Sequence, residues 1–359
     1  MAKIISPKQV VYLIGAGATQ AELNYQSCHV NLLMRDDLGT GLAGVCSRIM
    51  KAVRNDKQLS WLYEATKSTS QIDIEQLISL LEELDLEMYR KAADKLRKLY
   101  YLDILGHLMR TRVFNTPKLS MSLFELHQNE EFKNIEVLTG IISLNHDYLL
   151  ETACQKIFEG VNLGVDFTSD IFALNRDAPP IIKLFGSFNW KSGERIKIFK
   201  CNLSKPPDRE LLWIPPTIAK EARSYPFNKL LGNAHELLML KCDILRVIGC
   251  SLNQNDWKVI SLLFKTQCIR RDKCFDIELI QGREAGENTK QRLGYLRNIK
   301  TIAELEGSFA DYFDQEQEPD NPYEDWLRKT IDEKKISEDT LGENLKELYE
   351  GTRADSQEL

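Results

Sequence analysis

The chain has 359 residues, of which 43% are hydrophobic and 9% aromatic, so it can bury the core of one large domain or of two coupled ones. Its 53 acidic and 47 basic residues give a formal net charge of -6. Composition therefore carries no electrostatic signature of direct nucleic-acid binding.

Apolar runs are short throughout the sequence. The run near the beginning, Val10 to Ile14, is too short for a signal-peptide core or a membrane span, and no later window reaches about 18 uninterrupted apolar residues. We therefore expect a cytoplasmic protein with no membrane association. No two of the eight cysteines are spaced as C-x-x-C, which favours buried thiols over a zinc ribbon and predicts no bound metal.

The first predicted element is a buried strand at Val10 to Ile14, which runs directly into a glycine-rich turn. From Ile74 to about Val113, apolar residues recur at helical spacing among Glu and Lys. We assign an inserted helical layer of two or three helices to residues 73–113.

Further strands are predicted downstream, each followed by polar or glycine residues: Val137 to Leu144, Ile181 to Phe185, Ile244 to Ile248 and Phe275 to Ile280. Strands that alternate with helical patterns indicate an α/β fold, here a Rossmann-like, mainly parallel sheet with helices on both faces. Ligands bind such sheets at the carboxyl ends of the strands.

Composition divides the chain into three parts. Residues 1–310 are predicted to form the α/β domain. A linker is predicted at residues 311–321, because this segment carries five acidic residues and no basic one. For the polar helical tail at 322–359 we favour a solvated helix pair over an oligomerisation arm, because its apolar positions are sparse.

The turn after the first strand reads Gly15, Ala16, Gly17, Ala18. Glycines there let the backbone approach a pyrophosphate, whose charge the exposed N–H groups would face. Gln20 stands where the third glycine of G-x-G-x-x-G belongs, so a dehydrogenase fingerprint is not met. A strand-to-helix turn without a ligand remains the alternative.

Three other strand ends carry polar or glycine residues. Asn145 and Asp147 follow the second strand, either to reach a ligand or to cap the next helix. One later loop contains Gly186 and Ser187, and another contains Gly249 and Ser251. Each loop is consistent with a nucleotide-binding loop or with a turn that binds no ligand.

Together these segments resemble the sirtuin family, with GAGA, Leu-Asn-x-Asp, K-L-x-G-S and G-x-S-x-x-x-x-D in order over about residues 10 to 285. The helical insertion, the segment 213–217 and the lack of zinc cysteines are most similar to the prokaryotic sirtuin-like branch. That resemblance implies hydrolysis of NAD in anti-phage defence, often as a homo-oligomer or beside an ATPase or nuclease partner.

The resemblance also implies roles for individual residues. The turn at 15–18 would contact the diphosphate, Asn145 and Asp147 would hold the nicotinamide ribose and the hydrolytic water, and Gly249 and Ser251 would line the second ribose. Gly186 and Ser187 are likewise assigned to cofactor binding, in the loop whose catalytic position is Phe185 here and histidine in the family.

Phenylalanine neither accepts a proton nor hydrogen-bonds to a ribose, and loss of a general base costs about 10² to 10⁴ in rate. His146 is not expected to replace the missing histidine, because adjacent side chains of an extended chain point to opposite sides and Asn145 would face the ligand. The sequence thus supports a weakened NAD glycohydrolase, or a non-catalytic module that binds NAD or ADP-ribose. Protein deacetylation fits less well without the zinc module.

Overall fold

The computed structural model describes residues 6–36, 41–66, 73–84, 86–201, 211–215, 217, 223–306, 321–334, 336–337 and 340–355. The acidic linker predicted at 311–321 lies outside these residues except for Asn321.

Ten strands and fourteen α-helices lie in the described part of the chain. The strands are β1 (Lys8–Ile14), β2 (Glu136–Ser143), β3 (Phe167–Ser169), β4 (Ile181–Lys183), β5 (Gly186–Lys191), β6 (Ile196–Ile198), β7 (Leu211–Trp213), β8 (Ile244–Ile248), β9 (Asp276–Ile280) and β10 (Ile299–Thr301). The helices are α1 (Ala16–Tyr25), α2 (Val45–Asn55), α3 (Ser60–Thr66), α4 (Ile74–Glu83), α5 (Glu87–Arg110), α6 (Lys118–Gln128), α7 (Glu130–Lys133), α8 (Leu149–Phe158), α9 (Phe227–Leu240), α10 (Trp257–Arg270), α11 (Arg283–Arg292), α12 (Ile302–Glu306), α13 (Pro322–Glu333) and α14 (Glu343–Asp355).

Six strands form one parallel sheet in the order β10-β9-β8-β1-β2-β4, so the predicted Rossmann-like α/β class is confirmed. The five strands predicted from the sequence all belong to it, because uninterrupted β-branched runs are typical of strands buried on both faces. Helices cover both faces: Tyr12 of β1 meets α6 and α13, whereas Gly140 of β2 faces Leu237 of α9 on the other side.

A second, smaller sheet has the order β3-β6-β5-β7 and was not predicted. Its strand β5 begins at Gly186, so β4 ends at Lys183, two residues before the predicted end of that strand. Three of its four strands are only three residues long, and such short runs give little periodic signal.

The helical layer has a hydrophobic core of its own. Helices α2 to α5 pack on one another around Val45, Ile49, Leu77 and Leu96. The predicted helices at 73–113 are present as α4, α5 and a short 3-10 turn, but the layer begins earlier in the chain, at Val45. None of the helices that the structure describes combines the length and the apolar character that crossing a membrane would require.

The C-terminal helices pack against the α/β body. Helix α13 buries Tyr323, Trp326 and Leu327 in the main core, and α14 contributes Leu345 and Leu348. The favoured interpretation of this tail as a solvated pair is therefore wrong. Its few apolar residues recur every three or four positions, so they fall on one helix face and suffice to anchor it.

A buried charged cluster, centred on Arg246 of β8, lies where α13 meets the sheet. The guanidinium Nη2 donates to Glu136 Oε1 at 2.9 Å and Nε donates to Glu278 Oε2 at 2.7 Å. Trp326 of α13 covers the guanidinium at 5.1 Å from its ring centroid. Arg246 thereby joins strands β2, β8 and β9 to the C-terminal segment.

His127 of α6 borders this cluster and is 4% exposed. Its Nε2 shares a hydrogen bond of 2.8 Å with the Tyr12 hydroxyl. Burial, with a smaller contribution from the Arg246 charge, lowers the pKa of His127 to about 3, so the folded protein holds a neutral imidazole at neutral pH.

We predict that His127 makes the fold acid-sensitive. Because its folded pKa lies below the ordinary value near 6.5, the unfolded chain binds the extra proton between those values, and the free energy of unfolding falls as pH decreases through that window. From pH 7 to pH 5 the wild type should lose about 2 kcal/mol more than His127→Gln does. Urea unfolding at both pH values measures this difference, with His29→Gln, at an exposed position, as the control. Equal losses in wild type and His127→Gln would contradict it.

Candidate functional site

A cleft of about 700 Å³ opens at the carboxyl ends of β1, β2, β8 and β9. This is the edge of a parallel sheet at which ligands bind. It is lined by eight of the eleven residues that the sequence proposed for the site: Gly15, Ala16, Gly17, Asn145, Asp147, Phe185, Gly249 and Ser251. Ala18, Gly186 and Ser187 do not line it.

The backbone of the first turn is mostly occupied by internal hydrogen bonds. The Gly15 N–H donates to Ile248 O at 3.0 Å, the Gly17 N–H to Gly249 O at 2.8 Å, and the Ala18 N–H to Gly15 O at 3.0 Å. Among the described residues no acceptor engages the N–H of Ala16, which is exposed. Of the four backbone amides in this turn, that of Ala16 is thus the one without an acceptor in the described part of the chain.

Close packing of the two loops accounts for the glycines in this turn. A Cβ on Gly17 would lie 2.8 Å from the Cα of Gly249, and a Cβ on Gly249 would lie 2.1 Å from the Ala18 nitrogen. Gly249 also has a φ of +59°, in the left-handed region that favours glycine. The contact between the β1–α1 turn and the loop after β8 requires glycine whether or not a phosphate binds.

Asn145 is held by two acceptors on the first βα unit. Its Nδ2 donates to Gly15 O and to Thr19 Oγ1, each at 3.0 Å. It does not cap α8, whose N-cap residue is Tyr148. Since both partners are acceptors of the amide nitrogen, the Oδ1 oxygen is left to accept a hydrogen bond from a ligand hydroxyl or a water.

Asp147 is 7% exposed, and both of its carboxylate oxygens have protein partners. Oδ2 accepts from the Thr19 hydroxyl at 2.8 Å and Oδ1 accepts from the Leu149 N–H at the start of α8 at 3.1 Å. Asp147 could have contacted a ligand or stabilised the start of the next helix, and these hydrogen bonds show the second of these contacts. Through Thr19, Asp147 also fixes the amide of Asn145.

A buried ion pair supports this loop from the sheet side. Lys183 Nζ lies 3.0 Å from Glu151 Oε1, both side chains are 1% exposed, and Nζ also donates to the Asp147 carbonyl. Burial raises the pKa of Glu151, and the Lys183 charge opposes that rise. Loss of one partner from such a pair costs about 3–5 kcal/mol, so the lysine of K-L-x-G-S is a structural support.

The rest of the K-L-x-G-S segment divides between the cleft and the small sheet. Phe185 is 4% exposed and lines the cleft. Gly186 has a φ of +74°, and a Cβ there would lie 2.2 Å from Leu212 O. The Ser187 hydroxyl, fully buried, donates to the His146 carbonyl at 3.0 Å. Gly186 and Ser187 thus join β5 to its neighbours.

His146 lines the same cleft as Asn145, so the expectation that it points elsewhere is wrong. That expectation assumed an extended chain, but the backbone bends at His146 and Asp147. The ring packs against Phe188 and Trp213, with centroids 5.3 and 5.2 Å away, and its Nε2 lies 2.9 Å from Ile214 O.

Several residues of the cleft were not predicted from the sequence, because they belong to elements far away along the chain. The helical layer contributes Glu75 and Tyr100, and α13 contributes Tyr323. Burial, together with the charges of Glu75 and Asp147, raises the pKa of Tyr100 well above its ordinary value. The guanidinium of Arg292 donates to Ser251 O at 2.7 Å. No local motif marks these residues.

A scan of protein-family models finds none that matches the chain, and a search of curated proteins likewise finds no match. The resemblance to sirtuins therefore depends on the sequence motifs alone.

We predict that Gly249→Ala destabilises the fold by at least ~2 kcal/mol, through left-handed strain and overlap with Ala18. The matched control is Gly232→Ala, at an exposed position of α9 where a Cβ meets nothing within 4 Å; it should be neutral or stabilising by up to ~1 kcal/mol. Urea unfolding followed by circular dichroism compares the two. A Gly249→Ala protein as stable as wild type would show that packing does not require this glycine.

Proposed function

We propose that this protein binds NAD in the cleft and is a sirtuin-like NAD glycohydrolase of the anti-phage defence type. The observation that carries the proposal is the convergence of four motif segments, far apart in sequence, on one edge of a parallel sheet. By the same resemblance we propose a homo-oligomer acting beside an ATPase or nuclease partner.

The cleft offers groups that suit a dinucleotide. Its volume falls within the 300–1,000 Å³ typical of small-molecule sites. The open N–H of Ala16 at the start of α1, together with the guanidinium groups of Arg35 and Arg292, would hold the diphosphate. The exposed Ser251 and the Asn145 Oδ1 would meet ribose hydroxyls.

Glycohydrolysis breaks the bond between the nicotinamide nitrogen and the anomeric carbon of the ribose; a water oxygen then bonds to that carbon and the water releases a proton. Asn145 would orient the water through Oδ1, since Gly15 and Thr19 fix its amide. Phe185 supplies no acceptor for the proton. The pocket would therefore contribute positioning and electrostatics without the general base of the family.

A second function is a non-catalytic module that holds NAD or ADP-ribose within an assembly. Phe185 is the observation that favours it, because a buried phenyl ring replaces the one group whose proton chemistry the family uses. Release of nicotinamide by the purified protein, alone and with its partner, distinguishes the two functions.

We predict that Asn145→Ala folds normally, weakens NAD binding about tenfold and removes residual NAD cleavage. The physical reason is the loss of a positioned hydrogen bond, typically worth about 0.5–1.5 kcal/mol. Calorimetry and nicotinamide release measure the two effects, and Asn134→Ala on the exposed end of α7 is the control. Unchanged binding and cleavage in Asn145→Ala would remove this residue from the site.

We predict that Phe185→His raises nicotinamide release by about 10² or more, because a positioned acid–base group contributes that much. The gain should titrate in the range of histidine, about pH 6 to 7, while the NAD dissociation constant changes little. Phe185→Leu, which brings no proton chemistry, is the control and should leave the rate unchanged. A Phe185→His protein that binds NAD but releases no nicotinamide, even with its partner, would favour the binding module.

A further inference from the structure

A second cavity, of about 850 Å³, lies at the opposite end of α1 from the cleft. Helix α1 begins at the cleft with Ala16 and ends at this cavity with Tyr25. The other walls come from the last turn of α5, the first turn of α6, and helices α13 and α14. None of the residues that the structure describes lines both spaces, so the second cavity is separate from the cleft.

The charged groups of this cavity are mainly cationic. Of the described residues, Arg110, Lys118 and Arg328 line it against one carboxylate, that of Glu347, in a chain whose formal net charge is -6. Arg110 is exposed, and no carboxylate in the described part of the chain lies within ion-pair distance of it. Two histidines, His29 and His107, add hydrogen-bonding nitrogens to the same wall.

The guanidinium of Arg328 is incompletely satisfied. Its Nη2 pairs with Glu324 on the same helix, whereas Nε and Nη1 are buried and have no hydrogen-bond partner among the described residues. Buried donors without acceptors are unfavourable. An anion with several oxygens would provide acceptors when the side chain turns toward the cavity.

The carboxylate that lines the cavity, that of Glu347, forms only a weak ion pair with its partner. Glu347 pairs with Lys118, and these side chains are 55% and 31% exposed. Ion pairs exposed to this degree contribute little, because water screens them and two long side chains must be held in place. An incoming anion therefore competes with Glu347 for Lys118 at small cost.

We infer that this cavity binds a multiply phosphorylated small molecule of nucleotide size. Phosphate groups carry negative charge and oxygen acceptors, which complement the cationic groups of Arg110, Lys118 and Arg328. The volume of the cavity also exceeds what an inorganic ion needs. The ligand would touch the helical layer, the α/β body and the C-terminal helices at once.

The test is calorimetric titration of the full-length protein with ATP and, separately, with inorganic triphosphate. Wild type should bind both, and ATP should still bind when NAD is saturating. Arg110→Met and Lys118→Met retain the aliphatic stem of each side chain, and each should weaken ATP binding about tenfold. The control is Lys51→Met on the exposed surface of α2, which should bind ATP as wild type does. Arg292→Met in the first cleft should keep the ATP binding that persists when NAD is saturating.

Three results would overturn the inference: no binding of either probe at millimolar concentration, displacement of ATP by NAD, or loss of ATP binding in Arg292→Met with normal binding in Arg110→Met. Circular dichroism and thermal unfolding establish that each variant is folded. None of these readouts depends on nicotinamide release, so failure of the proposed enzyme function is distinguishable from failure of this site.

Discussion

The contact between Gly17 and Gly249 is the constraint on which the cleft depends. It brings the turn after β1 against the loop after β8, with the Gly17 N–H donating to Gly249 O at 2.8 Å and a Cβ on either residue excluded. Because the two strands are neighbours in the sheet, this contact fixes the floor of the cleft. The start of α1 is thereby positioned, with the Ala16 N–H left open.

The side chains above this floor are organised by hydrogen bonds that run between motifs. Thr19 accepts from Asn145 and donates to Asp147, while Lys183 pairs with Glu151 and reaches the Asp147 carbonyl. Most of the polar residues of these motifs thus position one another. Within the described part of the chain, the Asn145 Oδ1 and the Ala16 N–H have no protein partner, and under the proposed function they would meet the ligand.

The walls of the cleft come from parts of the chain that carry no recognisable motif. Tyr100 belongs to the helical layer, which has a core of its own, and Tyr323 belongs to α13, which Trp326 anchors over Arg246. The same three bodies, the helical layer, the α/β body and the C-terminal helices, also enclose the second cavity. Helix α1 connects the two spaces directly.

The sequence by itself determined the parallel sheet and the positions of its motifs. Runs such as Val10 to Ile14 and Ile244 to Ile248 are typical of strands buried between helices, and parallel strands bring their carboxyl ends to one edge. Eight of the eleven proposed site residues line the cleft at that edge. The short strands of the small sheet gave no comparable periodicity.

Only the tertiary structure decided what each motif residue does. Gly186 and Ser187 connect β5 to neighbouring segments and do not line the cleft. His146 lines the cleft because the backbone bends at that residue. The burial of α13, the walls supplied by Tyr100 and Tyr323, and the basic cavity all depend on contacts between segments far apart in sequence. Such contacts leave no local pattern, since each segment alone shows only an amphipathic helix or a turn.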